Sequence, residues 1–281
     1  MIKVVTDSTA YLPEDLLKDY DISVISLNVV LNDQTFRELD MNYETFYDEM
    51  ALAKKIPTSS QPSIEEFTSV FQKPIQNGDS VIGIFLSSDM SGTFSTAHLV
   101  KNMILKDYPH AQIELVDSRS NSMQLGFAVI EAARLAKEGK SMEEILRAVS
   151  NNITKSRFLF LPKTLEYLKK GGRIGGAAAL LGTLLQVTPI LTVVDGTTTV
   201  LTKIRTRKKA IETLVDTFIS DIRSKGFGNA IIHHIHCEED ALSLSKLLKE
   251  KYQLSVNIQS IGPVIGLHVG PGTIGIAYYT K

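Results

Sequence analysis

The hydroxyl groups that follow the apolar run at residues 81–86 form the part of this sequence best suited to chemistry. An apolar run of this length bounded by turn residues is typical of a buried strand, and the residues after 93 have a helical composition. Hydroxyls at a strand-to-helix turn suit a small anion, because the free N–H groups and the positive end of the helix dipole both favour negative charge. The segment therefore predicts either a structural turn or a site for a carboxylate or phosphate. Its polar members and its glycine are Ser87, Ser88, Ser91, Gly92 and Thr93.

A second hydroxyl-rich segment, at residues 57–63, contains Thr58, Ser59, Ser60 and Ser63. Because glutamates follow Ser63, the segment is either a plain helix cap or a second part of the anion site. Residues 6–9, with the sequence TDST, follow the first predicted strand. An Asx turn explains them as well as a ligand-binding loop at the carboxyl end of a parallel strand.

Two further segments place a basic or titratable side chain beside glycine. In residues 168–175 a double glycine ends a predicted helix and precedes Arg173, which either faces a ligand or belongs to a solvated basic turn. In residues 266–275 several glycines and a proline surround His268. Glycine permits a positive φ and a close approach of backbone to a ligand, so His268 is a candidate site residue. A structural histidine with satisfied hydrogen bonds is the alternative.

The histidines at residues 233–236 suggest a metal site, but their spacing counts against one. On a strand, His234 and His236 share one face, while His233 and Cys237 share the other. Neither face offers more than two ligands. Structural zinc needs four ligands and catalytic zinc three protein ligands, so the sequence predicts no metal.

Several catalytic signatures are missing from the sequence. It has no P-loop, no G-x-G-x-x-G loop and no G-x-S-x-G nucleophile elbow. Ser91 has no base that the sequence identifies. These observations favour a binding protein without catalytic activity. The alternative is an autonomous kinase or hydrolase that acts on a small carboxylated or phosphorylated metabolite at the same hydroxyl-rich turns.

Composition narrows the class of protein further. The 281 residues include 30 lysines and arginines against 31 acidic residues, a formal charge of −1, which lacks the basic field that nucleic-acid binding requires. A regulatory protein that binds DNA is therefore disfavoured. With one cysteine, no charged-then-apolar leader and no apolar run near 18 residues, we expect no disulfide framework, no signal peptide and no membrane span. We expect a cytoplasmic protein.

The elements that must position these side chains alternate in the first half of the chain. Predicted strands cover residues 2–5, 24–31, 81–86 and 113–116, and predicted helices cover 14–18, 64–72, 95–105 and 123–138. This alternation predicts a mainly parallel sheet with helices on both faces. Pro13 suits a first helical position, Gly139 a helix C-terminus, and Ser141 with Glu144 forms a capping-box pattern.

Antiparallel pairing is predicted from about residue 157 onward. Asp195-Gly196 lies between β-branched runs at 189–194 and 197–201, which predicts a hairpin. Other predicted strands cover 158–161, 230–237 and a final pair at 255–260 and 274–279, with helices at 208–224 and 239–252. The expected fold is α/β, with an N-terminal lobe at 1–156 built on a mainly parallel sheet and a C-terminal lobe at 157–281 built on a mixed sheet.

Several motifs, in this order, resemble those of DegV-type fatty-acid-binding proteins, the acyl-carrying subunits of bacterial fatty acid kinase. The likeness extends over nearly the whole chain. The motifs are VVTDST at 4–9, TSSQPS at 58–63, LSS at 86–88 with SGT at 91–93, DS at 117–118, LEYLKKGGR at 165–173 and HVGPGT at 268–273.

The resemblance implies a ligand tunnel between the two lobes, which holds a long-chain fatty acid. Its carboxylate would be bound by Ser59, Ser91 and His268. The first hydroxyl is often threonine in this family, whereas Thr58, Ser59 and Ser60 run together here, so Thr58 and Ser60 are further candidate ligands. Thr93, in the SGT motif beside Ser91, is another.

The resemblance also implies a partner and a role. A separate ATP-dependent kinase would phosphorylate the bound carboxylate, and the acyl phosphate would supply phospholipid synthesis. The chain would then be a carrier with no catalytic activity and no cofactor other than its bound fatty acid. Arg173 and Arg205 would face the kinase, because a guanidinium pairs with phosphate or carboxylate oxygens bidentately.

Burial of an acyl chain is favourable by about 0.8 kcal/mol per methylene, which outweighs the lost hydration of the head group. Hydrogen bonds to the carboxylate, each worth roughly 1.5–3 kcal/mol, would set its position. The small apolar residues at 175–185 are interpreted as either tunnel wall or plain core.

Overall fold

A computed structural model describes residues 1–53, 55–182 and 187–281. None of the helices in these ranges is long and apolar enough to cross a membrane. The strands are β1 (Ile2–Asp7), β2 (Ser23–Ile25), β3 (Asn28–Leu31), β4 (Gln34–Arg37), β5 (Thr58–Ser60), β6 (Ser80–Phe85), β7 (Ile113–Asp117), β8 (Ser156–Leu161), β9 (Thr188–Val194), β10 (Thr197–Ile204), β11 (Phe227–Ile235), β12 (Asn257–Ser260) and β13 (Thr273–Thr280).

The helices cover most of the remaining described chain. They are α1 (Glu14–Asp19), α2 (Tyr43–Leu52), α3 (Ile64–Gln76), α4 (Thr93–Asp107), α5 (Ser122–Lys137), α6 (Met142–Lys155), α7 (Glu166–Lys170), α8 (Arg207–Lys225), α9 (Glu238–Tyr252) and α10 (Pro263–Val269). Short 3₁₀ turns occupy Ser8–Ala10, Glu38–Asp40 and Gly175–Leu180.

Two sheets form the framework of the α/β fold. The first is a four-stranded parallel sheet in the order β2-β1-β6-β7, as the alternating pattern predicts. The second is a six-stranded mixed sheet in the order β10-β9-β8-β13-β11-β12, in which β11 and β12 run parallel. The parallel N-terminal sheet and the mixed C-terminal sheet are thus confirmed. Asp195 and Gly196 form the turn of the predicted β9–β10 hairpin.

The predicted strand at residues 24–31 was wrong as a single strand. β2 ends at Ile25 and joins the parallel sheet, whereas β3 begins at Asn28 and pairs antiparallel with β4 and β5 in a small third sheet. The chain turns at Ser26, whose hydroxyl donates to Leu27 O and accepts from Leu39 N. Apolar residues continue across this turn, so periodicity does not reveal it. Antiparallel pairing therefore enters already in the first half.

Element ends agree with the sequence signals in most places. The capping box joins Ser141 and Glu144, and Gly139 has φ +76° after α5. Pro13 was predicted as the first residue of α1. Its ψ of 140° is not helical, so it precedes the helix, which begins at Glu14. The strands predicted at 255–260 and 274–279 form, but β11 lies between them.

One helix connects the two large sheets. The side chains of α5 are mostly buried, and the helix packs against β1 of the parallel sheet and against β13 and β8 of the mixed sheet. A single apolar cluster includes Val4 and Ile82 from one sheet and Phe158 and Leu191 from the other. The two lobes therefore share a core, and the boundary between residues 156 and 157 stays a prediction.

Candidate functional site

A cavity of about 340 Å³ lies between the two lobes. Its size is within the range typical of small-molecule sites. The wall is mixed, and both lobes contribute apolar and polar side chains to it. Its apolar lining residues are Leu27, Leu86, Met90, Phe158, Phe160, Leu168, Ile235, Ile261, Val264, Ile265 and Val269, and its polar ones are Ser59, Ser60, Gln61, Ser91, Asn121, Arg173, Thr198, His268 and Thr273.

A polar contact at the cavity joins Ser59 and His268. The Ser59 hydroxyl on β5 lies 2.8 Å from Nε2 of His268, near the end of α10. Side chains alternate along a strand, so Ser59 faces this contact while its neighbours Thr58 and Ser60 are exposed. Ser60 also reaches the cavity wall, whereas Thr58 is outside the set of described lining residues.

Ser91 is the one hydroxyl of the turn before α4 that reaches the cavity wall among the described residues. Its Oγ lies 2.9 Å from Thr93 Oγ1 and accepts from Thr93 N at 3.3 Å. Thr93 is fully buried behind it. Ser87 and Ser88 instead donate to Gly196 O and to the Asp117 carboxylate, so these two hydroxyls stabilise the turn.

The two hydroxyl-rich segments are in direct contact. The Gln61 carboxamide donates to Thr96 Oγ1 at 2.8 Å, which holds its side chain across Gly92. A Cβ on residue 92 would overlap Gln61 Oε1, so glycine is required for this approach. The segments that carry Ser59 and Ser91 therefore pack directly against each other through Gln61.

His268 lies in the last turn of α10. Its imidazole is buried, and burial together with the nearby Arg173 charge lowers its pKa to about 4. The ring is therefore neutral near pH 7. Within the described part of the chain, its Nδ1 has no hydrogen-bond partner, and a Cβ on Gly171 would overlap this atom.

Arg173 lies at the cavity wall and contacts two loops. Its Nε donates to Met90 O at 3.1 Å and its Nη1 to Gly171 O at 2.6 Å. The predicted double glycine does end α7, and Gly172 takes the left-handed φ of +71°. Arg205, by contrast, is exposed beyond β10 and is not one of the described lining residues.

Two of the ambiguous segments have structural roles. Asp7 accepts from Thr9 N at 2.9 Å, the predicted Asx turn, and from Leu86 N at 2.7 Å, which ties β1 to the end of β6. Ser63 accepts from Glu66 N and caps α3. Neither Asp7 nor Ser63 reaches the cavity.

The histidines around β11 do not converge. Burial lowers the pKa of His233 to about 4, and its two ring nitrogens contact Gln259 O and Met123 N. β11 ends at Ile235, so His236 lies beyond the strand with φ +49° and does not share a face with His234 as predicted. In the ranges that the structure describes, no group of three His, Cys, Asp or Glu side chains could hold a metal ion. The absence of metal stays a prediction, which elemental analysis tests.

Comparison with known proteins agrees with the fold. The family described as "Uncharacterised protein, DegV family" matches residues 1–281. A DegV domain-containing protein from Clostridium acetobutylicum is 52% identical over 280 residues, which are 100% of this chain and 98% of that protein. This chain belongs to the DegV family.

Solved DegV-family structures share the fold over the full length. The crystal structure of DegV from Bacillus subtilis, a fatty acid binding protein, is 36% identical, with a TM-score of 0.89 over 100% of this chain and 99% of that one. A stearic acid-binding protein from Eubacterium ventriosum is 26% identical, with a TM-score of 0.92 and the same coverage. The similarity therefore includes both lobes and the region between them.

Sequence analysis of this DegV-family chain missed most of the apolar cavity wall. Phe158 and Phe160 share one face of β8 and line the cavity, while Leu159 and Leu161 pack in a separate core on the other face. The sequence shows that side chains of β8 alternate between two faces, but it does not show which face lines a cavity. Residues 175–182, interpreted from the sequence as tunnel wall or core, are not among the lining residues of the cavity. Most of them are exposed, whereas Ala177 and Leu180 are buried as core. Thr183, Leu184 and Leu185 lie outside the described residues.

Proposed function

We propose that this DegV-family chain binds one long-chain fatty acid in the cavity between its lobes. The acyl chain lies against the apolar wall, and the carboxylate contacts Ser59, Ser91 and His268. The observation that carries this proposal is the Ser59–His268 contact, which places a hydroxyl and an imidazole together at the wall of a cavity that also has eleven apolar lining side chains among the described residues. The fatty acids bound by solved relatives of the same fold support it.

The chemistry of the polar groups suits an anion. Serine hydroxyls can donate, and the neutral imidazole has one N–H. When Nε2 carries that hydrogen and donates it to Ser59 Oγ, the Ser59 hydroxyl is free to donate to the carboxylate. Arg173 adds a positive charge at the same wall. A buried carboxylate is costly without such partners, whereas burial of the chain contributes about 0.8 kcal/mol per methylene. The acyl chain therefore supplies most of the affinity, and the carboxylate determines the position of the fatty acid in the cavity.

We further propose that the bound carboxylate is presented to a separate ATP-dependent kinase. That enzyme would transfer the γ-phosphoryl group of ATP to a carboxylate oxygen, which gives acyl phosphate and ADP, and the acyl phosphate would supply phospholipid synthesis. Arg173 supports this role, because its side chain is exposed and also lies beside the head-group site. Arg205 is proposed as a more distant contact with the kinase. The chain itself would be a cytoplasmic carrier without catalytic activity.

Extraction of the purified protein with organic solvent, followed by mass spectrometry, tests the binding proposal. We expect host fatty acid at about one equivalent per chain. Delipidated protein should bind added palmitate, oleate or stearate in a titration. An empty extract together with no binding of these probes would contradict the proposal.

A hydrolase is the second candidate, because Ser59 and His268 have the separation of a nucleophile and its base. Two features disfavour it. In the described chain no carboxylate orients His268 through Nδ1, and a pKa of about 4 makes the imidazole a weak base near neutral pH. Turnover of p-nitrophenyl esters by the isolated chain, lost in Ser59→Ala, would favour the hydrolase. ATP turnover by the isolated chain would favour an autonomous kinase.

A further inference from the structure

The N-terminus of α10 is held by side chains from the other lobe. The helix follows Gly262, which has no side chain to cap the free N–H groups of the first turn. Val264 N donates to Oε1 of Glu38 at 2.8 Å, and Ile265 N donates to the Tyr11 hydroxyl at 3.1 Å. Glu38 and Tyr11, more than 220 positions away in sequence, thus cap the N-terminus of α10.

The carbonyl groups before the helix are held in the same way. The Tyr47 hydroxyl lies 2.8 Å from Ile261 O and 2.9 Å from Gly262 O, so its single hydrogen is shared between the two carbonyl groups. A Cβ on Gly262 would lie 2.8 Å from Oε1 of Glu38, and a Cβ on Gly266 would overlap the Tyr47 hydroxyl. Both glycines are therefore required so that the N-terminal lobe can approach the α10 backbone.

Glu38 is the centre of this contact. It is fully buried, and its carboxylate accepts from Ser8 Oγ, from the Tyr11 hydroxyl at 2.9 Å and from Val264 N. Ser8 Oγ in turn accepts from Leu27 N at 3.0 Å. Removal of the carboxylate would leave several buried donors without an acceptor, which costs more than the bonds themselves contribute.

We propose that Glu38 is a positioning residue for the fatty-acid head group: it fixes α10 through Val264 N and so fixes His268 against Ser59. Val264 and His268 are four residues apart, which is about one helical turn and about 6 Å along the axis. Both line the cavity. A helix is stiff over this length, so a shift of its first turn moves the imidazole by a similar distance. A shift of about 1 Å is enough to break a hydrogen bond such as the 2.8 Å contact with Ser59.

The proposal rests on the proposed function and is tested by a double-mutant cycle. The dissociation constant for stearate is measured for wild type and Glu38→Ala, each with and without His268→Ala. In the chain that keeps His268, we expect Glu38→Ala to raise the dissociation constant for stearate by about tenfold or more. In the His268→Ala background, the same change should raise it by much less. Glu38→Gln keeps an acceptor for Val264 N and should largely restore affinity.

Matched phenol variants separate positioning from general destabilisation. Tyr11→Phe removes the acceptor for Ile265 N, whereas Tyr278→Phe removes a buried hydroxyl that donates to Asp221 at 2.6 Å, away from the cavity. Both should lower the free energy of unfolding. Only Tyr11→Phe should weaken stearate binding, and this pair serves in place of the cycle if Glu38→Ala does not fold.

A measurement without ligand distinguishes failure of this proposal from failure of the proposed function. The ring ¹⁵N signals of His268 are compared by NMR in ligand-free wild type, Glu38→Gln and Glu38→Ala. We expect Glu38→Ala alone to shift them. Equal losses of affinity with and without His268, or unchanged ring signals, would overturn the positioning role. No fatty-acid binding by wild type, with shifted ring signals, would instead overturn the proposed function and leave only the positioning of His268 by Glu38 standing.

Discussion

The hydroxyl of Ser59 lies 2.8 Å from Nε2 of His268, although the two residues are 209 positions apart in the chain. Ser59 belongs to a short edge strand of the N-terminal half, and His268 to a helix that connects β12 and β13 of the C-terminal sheet. Their contact exists only when the two lobes close on each other. The proposed head-group site therefore depends on the interface between the lobes rather than on either lobe alone.

The first prediction concerns the hydroxyl ligands. Ser59→Ala and Ser91→Ala should each lower fatty-acid affinity by about 10- to 100-fold, because each removes one charge-assisted hydrogen bond of roughly 1.5–3 kcal/mol. Titration with a fluorescent fatty acid measures the change. Ser69→Ala, on the exposed surface of α3, is the matched control and should have no effect. Unchanged affinity in both site variants, with a loss in Thr58→Ala or Ser60→Ala, would move the head group to those hydroxyls.

The second prediction concerns Gly171, which lies against Nδ1 of His268. Gly171→Ala should lower fatty-acid affinity by about tenfold, equivalent to roughly 1.4 kcal/mol, because the new methyl group must displace a buried ring. Gly176→Ala is the matched control, since a Cβ there meets only ordinary contacts at 3.7 Å or more. Isothermal titration of both variants with palmitate measures the difference. Equal affinities would show that the ring has room to move.

The third prediction concerns the pH dependence of the free energy of unfolding. Burial lowers the pKa of His268 from 6.5 to about 4, so the unfolded chain binds more protons between these values. The stability that His268 contributes is present above pH 6.5 and is lost as the pH falls through 4. Burial raises the pKa of Glu38 from 4.5 to about 7, so its contribution is present below pH 4.5 and is lost as the pH rises through 7.

The two groups therefore have opposite slopes, which matched variants separate. Urea unfolding between pH 4 and 7.5 should show a shallower rise of stability with pH in His268→Gln than in wild type. In Glu38→Gln the rise should be steeper, because a term that falls with pH has been removed. If the slope of the free energy of unfolding against pH changes in the same direction in both variants, the opposite pKa shifts of His268 and Glu38 are contradicted.

The fourth prediction separates fatty-acid binding from phosphoryl transfer. Arg173→Ala should still copurify with fatty acid, because its described hydrogen bonds go to backbone carbonyls of Met90 and Gly171 and the carboxylate keeps its hydroxyl partners. With a cognate kinase and ATP, acyl-phosphate formation should fall by several powers of ten, since an arginine that stabilises phosphoryl charge has been removed. Arg147→Ala, an exposed surface change on α6, should alter neither property. Lost lipid with normal transfer per bound lipid would make Arg173 a ligand-holding residue instead.

The sequence alone determined the local features of this protein. The apolar run before Ser87, the capping box at Ser141 and the Asp195-Gly196 turn each depend on neighbours within a few residues, so composition and spacing predict them. The order of hydroxyl and glycine motifs likewise identified the family. The strand end, the capping box and the turn each depend on residues close together in the chain, and all three are present in the structure.

Only the tertiary structure decided which of these residues meet. Ser26 turns the chain between two sheets through hydrogen bonds to Leu27 and Leu39, while the apolar pattern continues unchanged. Glu38 gave no sequence signal, because its role depends on a backbone amide 226 positions away. The contact between Ser59 and His268 depends in the same way on how two lobes pack. Periodicity reports which face of an element is buried, and the packing of distant elements decides what that face touches.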